Sequence, residues 1–208
     1  MRKETRIPGR VKRLFDIIFA SIVLIFLSPI LLFIIAVLFM VNGRPIFFTQ
    51  TRPGKQGVPF RLIKFRTMKD VRNKDGFLLP DEDRITRFGY FLRRSSLDEL
   101  PEFINVIKGE MSAVGPRPLL MQYLERYTKE QSRRNDVLPG ITGWAQIHGR
   151  NAISWEDKFI LDVWYVDHRS FWLDIRIILS TIWKVVKREG ISQQGQATME
   201  EFMGTSKK

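Results

Sequence analysis

The segment RRSSLDELPEF, residues 93–103, sets two carboxylates side by side, Asp98 and Glu99, a short way after two cations, Arg93 and Arg94. Downstream, SAVGPRPLL, residues 112–120, holds Arg117 between Pro116 and Pro118. A guanidinium in a proline-stiffened turn loses little freedom on gripping a phosphate through two parallel hydrogen bonds. A carboxylate among such cations stays ionised at neutral pH and can either attack phosphorus or hold a divalent ion. These residue types suit phosphoryl transfer. A structural reading stands beside the chemical one, because Ser96 and Glu99 have the spacing of a capping box, in which a serine caps a helix and an acid three residues on reaches back to it. Such a helix start also offers amide donors to phosphate oxygens, and its dipole favours acids in the first turn.

The elements that must position these groups belong to a chain of 208 residues, enough for one ordinary domain. Its 44% apolar and 27% charged residues fit a folded core, and a formal charge of +12 calls for anionic partners: nucleic acid, lipid headgroups or phosphorylated substrates. Cysteine is absent, and two histidines, His148 and His168, cannot alone build a zinc site, so both read as structural.

Residues 17–41 contain no charge, and only Ser21, Ser28 and Pro29 lie outside the apolar set. As one helix this run measures roughly 37 Å, enough to span a hydrocarbon core of about 30 Å. Basic residues flank it on both sides, however, and each flank asks for the cytoplasmic face. Ser28-Pro29 lies near the midpoint, where proline bends a helix into two arms of half the membrane depth. The residues therefore leave two readings open: a single span, or a hairpin that enters and leaves by one face with Ser28 satisfying freed backbone groups.

Beyond the run, residues 45–50 and 58–66 read as strands around RPGKQG, a β-hairpin that carries Arg52, Lys55, Arg61, Lys64 and Arg66 where anionic lipid would attract them. Residues 69–83 read as a loop, and helical patterns follow at 84–94, 96–108 and 118–134. Near the C-terminus, Ile175, Ile178, Leu179, Ile182, Val185 and Val186 form one helical stripe flanked by Trp172 and Trp183, suited to the core or to the headgroup layer. Residues 189–208 read as polar and loosely held except for Phe202.

Ordered blocks then carry a resemblance: KRLFDII, IFFTQTRPG, PFRLIKFRTM, SLDELPEFINVIKGEMSAVGPRPLL, LPGITGWAQIHGRNAISWEDKF and LDVWYVD. From about Arg10 onward the chain resembles the bacterial sugar transferases called monotopic phosphoglycosyl transferases, in their small form, which lacks the extra N-terminal transmembrane domain of larger members. The resemblance implies transfer of a sugar phosphate from a nucleotide sugar, usually a UDP-sugar, to a polyprenyl phosphate such as undecaprenyl phosphate, releasing the nucleoside monophosphate. It implies Asp98 as nucleophile through a covalent aspartyl phosphosugar, Glu99 as its dyad partner, and Arg117, Arg93 and Lys64 as phosphate-binding cations. It further implies Mg2+, with Asp98 as a metal ligand, and a re-entrant helix bent at Ser28 and Pro29. Membrane lipids are then partners, and the site faces the cytoplasm at the bacterial inner membrane. The tail, 193–204, falls in a region that could touch the sugar.

The expected fold is mainly helical α+β: a basic segment and re-entrant membrane hairpin over 1–42, then a cytoplasmic catalytic domain over 43–208 with a small β-hairpin and interfacial amphipathic helices. A non-enzymatic, membrane-tethered module binding anionic lipid or nucleic acid would explain the charge and the anchor. It gives no reason for a carboxylate pair near a proline-locked arginine, and basic and aromatic residues do not interleave as single-strand binding requires, so nucleic acid is not expected as a partner.

Overall fold

A computed structural model describes residues 9–149, 153–187 and 201–204. Two helices open the chain, α1 (Gly9–Phe26) and α2 (Ser28–Asn42), bent by 62° at Leu27. The bend follows from Pro29. A helix interior needs an N–H at position 29 for the carbonyl of Ile25, and proline has none. Ser28 Oγ donates to that carbonyl instead, at 2.7 Å, while main-chain bonds Leu27 N to Val23 O and Leu31 N to Leu27 O continue on either side, both at 2.9 Å. Neither helix alone is long and apolar enough to cross a membrane, although the bent pair together is.

The β-hairpin forms as read, slightly shifted: β1 (Phe47–Pro53) pairs antiparallel with β2 (Pro59–Phe65), Phe47 opposite Phe65. Phe60 and Leu62 of β2 pack with Ala20, Val106 and Met111, while Phe65 packs with Ile34, Leu38 and Leu92. The loop over 69–83 holds one isolated bridge, Arg72 to Leu78, is closed by another between its flanks, Met68 to Ile85, and ends in a single turn, α3 (Asp81–Arg84), so the pattern read over 84–94 becomes helical only in α4 (Arg87–Ser95). Residues 96–108 are a 3-10 turn (Leu97–Glu99) followed by α5 (Glu102–Lys108) rather than one helix. Asn105, fully buried, ties α5 to β2: its Oδ1 accepts from Ile63 N at 3.1 Å and its Nδ2 donates to Arg61 O at 2.7 Å.

A second, parallel pair, β3 (Ser112–Val114) and β4 (Gly140–Thr142), lies at the centre of the remaining chain. Two glycines make the pairing possible, because a Cβ on Gly140 would sit 2.0 Å from Gly115 N. Between these strands, 118–134 is not one helix. It breaks into a 3-10 turn (Met121–Arg126), α6 (Lys129–Ser132) with a complete capping box at Thr128 and Gln131, and a further 3-10 turn (Arg133–Asp136). Thr128 caps strongly enough to restart the helix, which the apolar periodicity alone does not show.

Three helices complete the fold: α7 (Trp144–His148), α8 (Trp155–His168) and α9 (Phe171–Lys187). The stripe read on α9 divides, since Ile178 joins a core with Ala113, Val114, Tyr165 and Ile177, whereas Leu179 and Ile182 are exposed. Most of the tail lies outside the described residues, but Phe202 is buried against Tyr123 and Phe159. The fold is thus α+β and mainly helical, with two small sheets among the described residues.

Candidate active site

The carboxylate pair stands where α4 gives way to α5. Ser96 has φ 56°, in the left-handed region, and its N–H donates back to Arg93 O at 3.2 Å. Such a residue ends a helix instead of beginning one. The Ser96 side chain makes no capping bond, so the capping box expected with Glu99 is absent; Pro101, whose missing N–H costs nothing at a helix start, leads into α5. The sharp turn frees both acids from capping duty and presents them side by side.

Their surroundings differ. Glu99 Oε1 accepts from Lys64 Nζ at 2.8 Å and from Arg117 Nη2 at 2.5 Å. Lys64 also lies 3.1 Å from Glu102 Oε1, so one ammonium from β2 bridges two acids. Asp98, only 9% exposed, has neither a hydrogen bond nor an ion pair among the described residues. Arg93 donates from Nε to Thr67 Oγ1 at 2.9 Å and contributes positive potential at Asp98. The structure therefore brings together four of the expected residues, Asp98, Glu99, Lys64 and Arg117, with Arg93 at the margin. Ser28 and Pro29 stand apart at the helical bend.

Electrostatics separates the two acids further. Burial, and then the neighbouring Glu99 charge, pushes the Asp98 carboxyl up to about 6, against the pull of Lys64, Arg117 and Arg93. The anion still predominates at pH 7 by about tenfold. Burial acts to raise Glu99 as well, but the Arg117 and Lys64 charges hold it well below the usual carboxylate range. Glu102 is pushed up to about 7 by burial and by Glu99. The arrangement leaves one permanently charged acid clamped in place and one unclamped acid beside it.

Arg117 owes its position to groups that the sequence reading passed over. The bonds Gly115 N to Thr142 O, 2.9 Å, and Gly140 N to Pro116 O, 3.0 Å, hold its loop against β4. Buried Arg134 donates from Nη2 to Arg117 O at 2.7 Å, and the same nitrogen reaches Asp162 Oδ2, also at 2.7 Å. Arg52 and Glu102 were likewise missed; with Leu62, Lys64, Arg117 and Pro118 they line a small cavity of about 90 Å³. The three acids at 98, 99 and 102 were a legible signal for Glu102. Arg52 and Lys64, read as part of a lipid-facing basic patch, turn towards this cavity. His148 and His168 each bond through Nδ1 to the carbonyl of a tryptophan four residues earlier, at 2.8 and 2.9 Å, and no cluster of three metal-ligating side chains occurs among the described residues.

Residues 7–188 match the family model for bacterial sugar transferases. An uncharacterized sugar transferase, EpsL, of Bacillus subtilis (strain 168) is 57% identical over 195 residues, 94% of this chain and 96% of that protein. The UDP-galactose-lipid carrier transferase of Erwinia amylovora is 39% identical over 197 residues, 86% of this chain and 41% of that protein. The UDP-glucose:undecaprenyl-phosphate glucose-1-phosphate transferase of Escherichia coli (strain K12) is 40% identical over 184 residues, 84% of this chain and 40% of that protein. The chain thus spans about two fifths of the length of the latter two.

Proposed function

The chain belongs to the bacterial sugar transferase family, and from that premise we propose that it moves a sugar 1-phosphate from a nucleotide sugar, most simply a UDP-sugar, onto undecaprenyl phosphate. The observation that carries this reading is the contrast between unclamped Asp98 and clamped Glu99. An Asp98 oxygen attacks the phosphorus that bears the sugar. A phosphorus–oxygen bond to Asp98 forms, the bond to the bridging diphosphate oxygen breaks, and UMP departs with that electron pair. An oxygen of undecaprenyl phosphate then attacks the same phosphorus and returns Asp98 to its free anion. Partial desolvation sharpens the nucleophile, and the cations beside it offset the charge of an anion approaching a diphosphate.

Glu99 acts by holding Lys64 and Arg117 in register, so that Arg117 faces the transferred phosphoryl group without having to be ordered during the reaction. Arg93 adds charge from the α4 side. Magnesium would fit here through Asp98, the one carboxylate of the group without a hydrogen-bond or ion-pair partner among the described residues, since Mg2+ is ordinarily held by one or two carboxylates together with substrate phosphates. When bound it would neutralise diphosphate charge.

The bent pair α1–α2 serves as a re-entrant anchor that keeps both its ends on the cytoplasmic face of the inner membrane, where a lipid-borne phosphate and a soluble nucleotide sugar can meet. Its support is the hydrogen bond from Ser28 to Ile25 O, which satisfies the backbone group exposed by Pro29 at the deepest point. Intact-mass analysis after incubation with UDP-sugar alone tests the chemistry. An added sugar phosphate that maps to Asp98 is expected, and its absence where the complete reaction proceeds would overturn the mechanism.

A further inference from the structure

Trp144, Trp164, Ser170, Trp172, Leu173 and Arg176 line a second cavity of about 240 Å³, and it shares no lining residue with the cavity beside Arg117. Trp144 and Trp164 stack with ring centres 4.6 Å apart, and the Arg176 guanidinium lies 5.8 Å from the Trp144 centre. Arg176 has no hydrogen bond or ion pair among the described residues. The acid nearest in sequence, Asp174, is committed elsewhere: its Oδ2 lies 2.6 Å from Lys12 Nζ and its Oδ1 accepts from Tyr165 at 2.7 Å. The positive charge at this bowl is therefore not answered from within the described protein.

Apolar surface continues from the cavity along one face of α9. Trp172 is 78% exposed, Leu179 62% and Trp183 59%; with Arg176 they follow the spacing i, i+4, i+7 and i+11, a single helical stripe. The depth of that stripe is fixed by α1. Phe171 packs edge-on against Phe15, ring centres 5.2 Å apart, and Asp174 binds Lys12. At about 1.5 Å per residue these contacts lie within about 8 Å of Ile17, where the uncharged run begins. Exposed tryptophans around an arginine at that level match the boundary between acyl chains and phosphates, where indole and guanidinium groups are favoured.

We propose that Arg176 and the indoles of Trp144, Trp164 and Trp172 form a site for the headgroup of an anionic phospholipid, apart from the residues that handle the reacting phosphates. The guanidinium takes the phosphodiester through paired N–H donors, and the indoles cover the glycerol and the first acyl carbons. This site rests on the membrane reading of α1–α2, since only an anchored chain holds α9 at that depth.

The full chain in nanodiscs that mix phosphatidylcholine with phosphatidylglycerol, released and weighed by native mass spectrometry, should retain phosphatidylglycerol in preference. R176Q should reduce that preference about fivefold, the equivalent of about 1 kcal/mol for one basic residue at an anionic surface. R176K keeps the charge and should keep most of the preference. Equal retention by wild type and R176Q overturns the proposal, as does displacement of the lipid by inorganic phosphate or by free sugar, which would make the bowl a site for a soluble ligand. Failure of the membrane reading is distinct: wild type would then not float with vesicles of phosphatidylcholine alone.

Discussion

Arg134 reaches across from the 3-10 turn before β4 to donate, at 2.7 Å, to the main-chain oxygen of Arg117. A buried cation thereby fixes the backbone of a second, partly exposed one, and Asp162 makes this possible by neutralising Arg134 through bonds of 3.0 and 2.7 Å. Asp162→Ala would leave Arg134 charged and unpaired in the core, at a cost of about 3–5 kcal/mol. Chemical denaturation of the variant should show this loss. A change below about 1 kcal/mol would mean that water replaces the carboxylate and the pair is dispensable.

Asp98→Asn should stop nucleotide release, with a loss on the order of 10⁴-fold or more, as expected for a nucleophile acting within a unit. Glu99→Gln should act differently. It keeps Asp98 but loosens Lys64 and Arg117, so the covalent adduct should still form, more slowly. A Glu99→Gln enzyme as inactive as Asp98→Asn, with no adduct, would give Glu99 a chemical role.

The pH profile follows from Asp98, whose carboxyl is pushed up to about 6 by burial and by Glu99. In the proposed mechanism only the anion attacks, so kcat/KM should rise with pH through a midpoint near 6 and then level off. Lys64→Met removes a charge that lowers this value and should move the midpoint upward. Stability runs the opposite way. A carboxyl raised in the folded state favours folding when protonated, and that contribution is lost as pH rises from the ordinary carboxylate range through about 6. Asp98→Asn should therefore be the more stable protein at pH 8, by about 3 kcal/mol, measurable by thermal or chemical melting.

Gly89→Ala tests the join between α4 and the end of the hairpin. The new Cβ would fall 2.0 Å from Thr67 O, which is backbone and cannot step aside, so α4 must shift. Overpacking of this kind costs about 1–3 kcal/mol. Because α4 carries Arg93 to Thr67 Oγ1, turnover should fall together with the melting temperature.

Pro29→Leu restores an N–H that can donate to Ile25 O and removes the cause of the 62° bend. A straightened helix of roughly 37 Å spans a bilayer, so the N-terminus should move to the opposite face, and because this pulls α1 from its contacts with β2, α5 and Ala113, turnover should be lost with it. Cysteine labelling from each side of sealed vesicles reports this directly. Both ends remaining on one side would show that tertiary contacts, not the proline, set the hairpin.

Much of this was legible in the residues. The bend at Ser28-Pro29 follows from a missing donor in an apolar run, and the β-hairpin from strand patterns around a glycine-rich turn, both of them local physics. The cluster of Asp98, Glu99 and Arg117 was visible as residue types near one another in sequence. The false capping box shows where local reasoning stops: Ser96 fits two motifs, and in the fold it takes the left-handed turn that ends α4, with Leu97 packed against the cluster that holds Leu92. Long-range partners were out of reach, because nothing in the spacing of Arg134, 28 residues before Asp162, announces that the two will meet beneath Arg117. Likewise, Arg52 reads as surface charge, and Lys64 does too apart from the family resemblance, because a two-residue alternation says which side of a strand a residue takes, not what lies across from that side.

The first helix is built into the folded body as firmly as any core element. Ala20 is wholly buried among residues of β2 and α5, and Asp16 Oδ1 receives the N–H of Ala113, whose strand leads into the loop of Arg117. Shearing that helix away would strip an interior amide of its acceptor and open a greasy seam beneath the Arg117 loop. Under the proposed anchoring, a protease that removed the first two helices by cutting near residue 42 would not liberate a working soluble body, because part of the interior would leave with them.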